Sequence, residues 1–419
     1  MHKYLYTLLI FVLLIPPCFG QVAEPEGQLL IRRYLENTGK DEMEEILTSL
    51  EGLKVRLDKM KEWITASASY PPQQVGLQRK LISLGERKGE YFVYIPSNYV
   101  PDTSWPVVMA LHGVGESGYR SIMAWLRSSA HNDDFIFIAP SYGIGLWWKD
   151  EAENLVLSIL ERIKQDYHID TNRIYLTGFS SGAHGTWYMA IRYPDLFAAI
   201  SPIAGECPTP SLLGNLLHVP VYILHGTRDM VIPVEAARDA YARLKKLGYS
   251  VIYEELPEEK HRFPMAESEK VLHWFRSSTR SLYPKMISFS TESTRYSALY
   301  WIEITQFSEL VGQVSGVQRD ISGHLIRPER FPVTAAVEAQ VKDADNEIHL
   351  TVQGVKEVRL YLDDRLIDME RPLSVYINGR MVFSGKINGS LRALLETVKK
   401  RNDREALFSA YVDLKVLSQ

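Results

Sequence analysis

Cysteine is nearly absent, with only Cys18 and Cys207 in 419 residues. Cys18 lies in an N-terminal segment that reads as cleaved, so the mature chain would keep one thiol and no internal disulfide, even in an oxidising compartment. Cys207 has no cysteine partner for a metal and reads as a buried, inert thiol. Positive charge is not in excess either: 47 Lys and Arg stand against 51 Asp and Glu, for a net charge of −4. With no basic stripe along the chain, this balance argues against nucleic acid as a partner. No repeat of fixed period, low-complexity tract or metal-ligand spacing is found. Gly143-Ile144-Gly145 is not a phosphate loop, since it lacks a third glycine at Trp148 and a following Lys-Ser or Lys-Thr. No cofactor is expected, and no membrane span in the mature form.

The first twenty residues differ from the rest. Met1-His2-Lys3 is a short basic start, Tyr4 to Ile15 is mostly apolar, and Pro16-Pro17 breaks the run. Cys18-Phe19-Gly20 then places small residues at −3 and −1 of a cut before Gln21. This is the pattern of a secretory signal peptide over 1–20, too short for a membrane span, and it predicts a secreted or periplasmic protein. Residues 21–80 are expected to be helical. From Met43 to Ile64 apolar residues recur in steps of three and four, interrupted by Gly52. The expected placement is a helix or helical hairpin laid on the catalytic domain, with a dimer zipper as the alternative.

Residues 81–282 alternate strand and helix. Tyr91–Ile95, Pro106–Leu111, Asp134–Pro140, Arg173–Thr177, Phe197–Ser201, Val219–Leu224 and Val251–Leu256 read as strands, many continuously apolar. Such strands belong to a mostly parallel, doubly wound α/β sheet covered on both faces. Residues 283–419 change character to alternating, β-branched runs, with Asn378-Gly379 as a hairpin turn. They predict a smaller β-rich domain, folding separately and contributing binding rather than chemistry.

Gly178-Phe179-Ser180-Ser181-Gly182 sits between the strand Arg173–Thr177 and an apolar helix from Ala183 to Arg192. Strand, sharp turn and helix is the setting in which G-x-S-x-G is a nucleophile elbow, and the glycines leave room around Ser180. A serine hydroxyl needs a base, and the base an orienting acid. Asp229, after the strand Tyr222–Leu224, and His261, after the strand ending at Leu256, follow in the order Ser, Asp, His. Taken one at a time, each also reads as a surface loop residue; it is the order that favours a triad. The backbone N–H of Ser181 is a candidate oxyanion donor, and His112-Gly113-Val114-Gly115 should supply the second, assigned to Val114. Trp147 and Trp148 are candidate substrate-binding residues, with core packing as the alternative for both. His112 and His225 read as shaping their loops, and His184 as pointing away from the site.

Leu111-His112-Gly113, Asp170 to Gly182, Tyr193 to Ala199 and His225-Gly226-Thr227-Arg228-Asp229 resemble α/β-hydrolases of the esterase group. That group includes dienelactone-hydrolase-like proteins, feruloyl and acetyl-xylan esterases and polyhydroxybutyrate depolymerases, and it overlaps the catalytic domain of prolyl oligopeptidases. The resemblance covers about residues 85–280. It implies Ser180 as nucleophile, Asp229 as acid and His261 as base, in an exported serine esterase acting on polysaccharide or polyester esters. Lys260, where such families often carry glycine, departs from the pattern. A prolyl-oligopeptidase-like peptidase and a non-catalytic glycan-binding accessory protein are the alternatives.

Overall fold

The computed structural model describes residues 26–128, 132–309, 311 and 334–417. The expected signal peptide, 1–20, lies outside the described residues. Three helices come first: α1 (Glu26–Glu36), α2 (Lys40–Gly52) and α3 (Leu57–Ala66). The run that reads as one helix is split at Gly52, where an exposed glycine costs the helix about 1 kcal/mol relative to alanine.

The central sheet follows. Its elements in order are β1 (Gly76–Leu84), β2 (Arg87–Ile95), β3 (Trp105–Leu111), α4 (Gly118–Ser128), β4 (Ile136–Ser141), α5 (Asp150–Asp166) and β5 (Ile169–Phe179). Then come α6 (Ser181–Arg192), β6 (Ala199–Ile203), β7 (Val221–Gly226), α7 (Glu235–Lys246), β8 (Val251–Leu256) and α8 (Ser268–Arg276). The eight strands lie in the order β1-β2-β4-β3-β5-β6-β7-β8. The β1–β2 and β2–β4 pairings are antiparallel and the remainder parallel. β1 starts at Gly76, ahead of position 81 and inside the segment expected to be helical.

Alternation along β3 shows why the sheet is covered twice. Val107, Met109 and Leu111 enter a core shared with α5, α6 and α7, whereas Val108 and Ala110 enter one with α4 and α8. Both sets are fully buried, so β3 reads as a continuous apolar run.

Beyond α8 the chain forms β9 (Met286–Thr291), β10 (Ala298–Leu299), β11 (Ile302–Phe307), β12 (Ala335–Lys342), β13 (Glu347–Gln353) and β14 (Val355–Leu362). It continues as β15 (Leu373–Ile377), β16 (Arg380–Gly385), α9 (Leu391–Arg401) and β17 (Ala410–Lys415). A five-stranded sheet, β16-β15-β13-β12-β9, and a four-stranded sheet, β10-β11-β14-β17, enclose a core of their own.

The helices α1–α3 are not laid on the catalytic sheet, as their apolar stripe suggested. Ile31, Ile46, Leu50, Met60 and Ile64 bury against Leu394, Leu395 and Val398 of α9. Lys399 reinforces this contact by donating to the carbonyls of Tyr34 (3.1 Å) and Leu35 (2.8 Å), beside the C-terminal end of α1, where orphan acceptors need partners. Among the described residues, no helix is long and apolar enough to cross a membrane.

Candidate active site

The sheet order reverses at β3, so the carboxyl ends of β3 and β5 flank a switch point, where open α/β sheets bind ligands. Ser180 stands there, between β5 and α6, with φ = 58° and ψ = −120°. A non-glycine residue at positive φ is strained and is held only by its surroundings. Here the glycines supply the room. A Cβ on Gly178 would lie 2.2 Å from the carbonyl oxygen of Gly182, and one on Gly182 would lie 2.1 Å from that of Leu111. Gly182→Ala is therefore expected to destabilise the fold by about 3 kcal/mol, the upper end of overpacking costs, measured by urea unfolding. An unchanged midpoint would show that the elbow can open.

From Ser180 a chain of hydrogen bonds runs across two further loops. Ser180 Oγ is 2.9 Å from His261 Nε2, and His261 Nδ1 is 2.6 Å from Asp229 Oδ2. Asp229 also accepts the backbone N–H groups of Val231 (2.9 Å) and Ile232 (2.8 Å) through Oδ1. Burial pushes its carboxyl pKa up, but the hydrogen bonds from His261 and these amides outweigh burial and hold it below the ordinary aspartate range. An ionised Asp229 fixes the imidazole with Nδ1 protonated and Nε2 facing the serine as acceptor. This set can take the serine proton and stabilise the resulting imidazolium.

The expected oxyanion donors sit on either side. Ser181 opens α6, so its N–H is unspent at the positive end of the helix. In the β3 loop the N–H of Gly113 goes to Glu116 (3.3 Å), that of Gly115 to Ile144 O and that of Glu116 to Gly113 O. Among the described residues, the Val114 N–H has no such acceptor. Both remaining donors are thus free to meet a negative oxygen.

Histidines 112 and 225 shape the loops around this array. His112 Nε2 accepts the Tyr142 N–H at 3.1 Å, so Nδ1 carries the proton and donates to Gly113 O at 2.8 Å. Burial lowers the pKa of His112, which keeps that neutral tautomer. His225 Nε2 is 2.9 Å from Ile232 O and braces the Asp229 loop.

The two tryptophans separate. Trp147 is 1% exposed, donates to His112 O at 2.8 Å and packs where a Cβ on Gly185 would fall 2.4 Å away. It is a core residue supporting the β3 loop and offers no face to a substrate. Trp148 is 38% exposed, with its ring 6.0 Å from that of His184. His184 does not point away from the site. It is the one residue of α6 that is not buried, one turn after Ser180, with its ring beside that of the exposed Trp148. Sequence reasoning also passed over Ile144, Met230 and Val231, apolar residues exposed on the loops after β4 and β7. The available signal was their position, flanking the glycine-rich loop and the predicted acid. Cys207 is a free thiol packed against the core, with its pKa pushed up to about 12 by burial, which keeps it unreactive.

A phospholipase/carboxylesterase family model matches residues 149–278. The sheet order, the elbow and this match agree with the resemblance drawn from the sequence. The strand order and the elbow are those of the α/β-hydrolase fold.

Similar proteins include esterases and depolymerases. A bifunctional acetylxylan esterase/xylanase of Neocallimastix patriciarum is 30% identical over 148 residues, covering 33% of this chain and 21% of that protein. A poly(3-hydroxyoctanoate) depolymerase of Pseudomonas fluorescens is 27% identical over 244 residues, or 50% of this chain and 85% of that protein. A probable feruloyl esterase C of Aspergillus terreus is 30% identical over 158 residues, or 35% and 57% of the two chains. The chain thus spans about a fifth of the first relative and over half of the third. Among solved structures, a thermostable esterase is 25% identical with a TM-score of 0.43, covering 49% of this chain and 63% of that one.

Proposed function

We propose that this hydrolase is an exported serine esterase that cleaves carboxylic esters of a polysaccharide or polyester through an acyl-enzyme. The observation that carries the reading is the unbroken Ser180–His261–Asp229 hydrogen-bonded array at a strained elbow. In the first step Ser180 Oγ attacks the ester carbonyl while His261 Nε2 takes its proton. The carbonyl oxygen becomes an alkoxide facing the N–H groups of Ser181 and Val114. His261 then protonates the departing alcohol, and water repeats the sequence to release the acid. Donors aimed at the developing charge each contribute about 3–4 kcal/mol in such sites.

The rim supports an ester with an apolar part. Val114, Ile144, Trp148, Met230 and Val231 are exposed on three loops at the same edge of the sheet as Ser180. Isolated exposed apolar residues are ordinary, but a group around a reactive centre marks a binding surface. The named activities of the depolymerase and esterase relatives are of the same chemical kind.

The bond type is tested with a matched pair, the p-nitrophenyl ester and the p-nitroanilide of one acyl group. Esters expel an alkoxide, whereas an amide nitrogen must be protonated as it leaves, so kcat/KM should favour the ester by roughly 10³-fold or more. Comparable rates on both would move the assignment to a peptidase. Export rests on residues 1–20. N-terminal sequencing of the protein from its native host should read Gln-Val-Ala, and full-length chain in the cytoplasm would defeat this part of the proposal.

A further inference from the structure

At the opposite end of β5 from Ser180 lies a cleft of about 350 Å³. It is lined by Tyr70 from the segment after α3, Ser104, Lys164 and His168 around the end of α5, Asn172 of β5, and Glu405 after α9. Eight residues of extended chain separate Asn172 from Ser180, roughly 26 Å, so this is not the esterase site.

Of the four charged groups in the wall, Asp170 is paired with Arg173 and Arg404 donates to the Ile64 carbonyl and Ser67 Oγ, which leaves Lys164 and Glu405. Among the described residues, the Lys164 ammonium makes no hydrogen bond and no ion pair. The strongest charge acting on it is that of Asp403. That carboxylate is already engaged by Arg280 (2.7 Å), Thr171 Oγ1 (2.8 Å) and the Glu405 N–H (3.0 Å). The side-chain carboxyl of Glu405 likewise has no hydrogen-bond partner or ion pair among the described residues. Burial, then the charges of Asp403 and Asp170, raise its pKa above the ordinary glutamate range. Burial correspondingly lowers the pKa of Lys164. Both side chains are half-buried in the cleft wall, with hydrogen-bonding capacity that a ligand would complete.

The rest of the wall narrows the chemistry. The Asn172 carbonyl oxygen is used by Arg280, which leaves its amide N–H₂ for a guest. Tyr70 and His168 stack at 4.9 Å and 20°, giving that side a rigid ring edge. His168 Nδ1, 2.9 Å from the carbonyl of Pro101, fixes the ring in place. One ammonium asks for an anion, while a carboxyl, an amide and the Ser104 hydroxyl ask for neutral oxygens. The volume falls at the lower end of small-molecule sites.

We propose that this cleft binds a small carboxylate carrying hydroxyl groups, such as a sugar acid, with the carboxylate on Lys164 and the hydroxyls on Glu405, Asn172 and Ser104. The test is calorimetric titration of the full mature chain with D-galacturonate, D-galactose, acetate and sulfate. Galacturonate should bind with a Kd of about 1 mM or tighter, and the other three at least about tenfold more weakly, because each lacks one half of the recognition. Lys164→Gln should lose about tenfold in galacturonate affinity and Lys164→Arg should retain most of it, both with unchanged turnover of a small ester. If Lys164→Gln fails to fold, Glu405→Ala provides the check, weakening galacturonate without altering acetate. Equal binding of sulfate or acetate, galacturonate affinity indifferent to these substitutions, or no binding of galacturonate would overturn the proposal. The turnover control keeps its failure distinct from a failure of the esterase reading.

Discussion

Ser180→Ala is expected to lower kcat/KM on a p-nitrophenyl ester by about 10⁴–10⁶-fold and to abolish labelling by a fluorophosphonate probe. The size follows from the array. Without Oγ, His261 has no proton to take and no acyl-enzyme can form, so any residual rate is water attack assisted by the free N–H groups of Ser181 and Val114. The fold should be unaffected, because Ser180 Oγ has its hydrogen bond with His261 alone at the site mouth and φ = 58° is no worse for alanine than for serine. Asp229→Asn should give a loss of about 10⁴-fold, since the amide favours the wrong imidazole tautomer. Labelling that survives in Ser180→Ala would remove the basis of the proposed function. A wild type that is never labelled would favour the non-catalytic reading.

Ending the chain after Arg280 is expected to unfold the hydrolase rather than release it. Two buried charges in the hydrolase take their partners from beyond that point. Arg280 pairs with Asp403 at 2.7 Å, with both side chains about 95% or more buried. Glu153, fully buried on α5, accepts hydrogen bonds from Tyr188 (3.1 Å) and Tyr193 (2.7 Å) on its own side. Across the boundary it accepts from Tyr296 (2.8 Å) and pairs with Arg295 (2.7 Å). Removing one partner of a buried pair costs about 3–5 kcal/mol, because the remaining charge stays desolvated. Two such losses rival the whole stability of a typical domain, about 5–15 kcal/mol. A truncated protein that melts cooperatively and hydrolyses small esters at the full rate would show that the hydrolase core stands without these contacts.

The single change Asp403→Asn isolates one of them, with an expected loss of about 3–5 kcal/mol in urea unfolding. Acid should reveal the same group. Burial raises the pKa of Asp403, but Arg280 and Lys164 outweigh it and hold the carboxyl down to about 2. An unfolded aspartate titrates near 3.9. A depressed folded pKa contributes stability that is present above the unfolded value and lost as pH falls through the folded one. The wild type should therefore lose stability from about pH 4 down to about pH 2, and Asp403→Asn should lack that part of the slope.

The elbow and the order of its candidate partners were legible because both are local. Gly178 and Gly182 answer to contacts within the turn and with the next strand. Asp229 and His261 each follow a recognisable strand. The division between Trp147 and Trp148 was not legible, since neighbours in a loop share composition and spacing. The contact with Gly185, far along the chain, buries one and leaves the other at the rim. β1 was passed over for a different reason. It is an edge strand with none of its residues fully buried, so it carries no apolar run to distinguish it from a loop. The stripe on α2 and α3 announced that something covers it without naming α9 as the cover.

By itself the sequence determined the alternation of strand and helix, the strained turn at Ser180 and the β-rich character of the C-terminal part, because backbone propensity and side-chain period act over a few residues. The tertiary structure alone decided that Ser180 and His261, 81 positions apart, and Asp229, 32 from His261, meet within hydrogen-bonding distance. It also decided that α1–α3 close over α9, and that Lys164 and Glu405 line one cleft with no side-chain partner among the described residues. Those outcomes depend on sheet order and on which apolar face finds which. Many pairings would bury similar area, and the register of the whole chain selects among them.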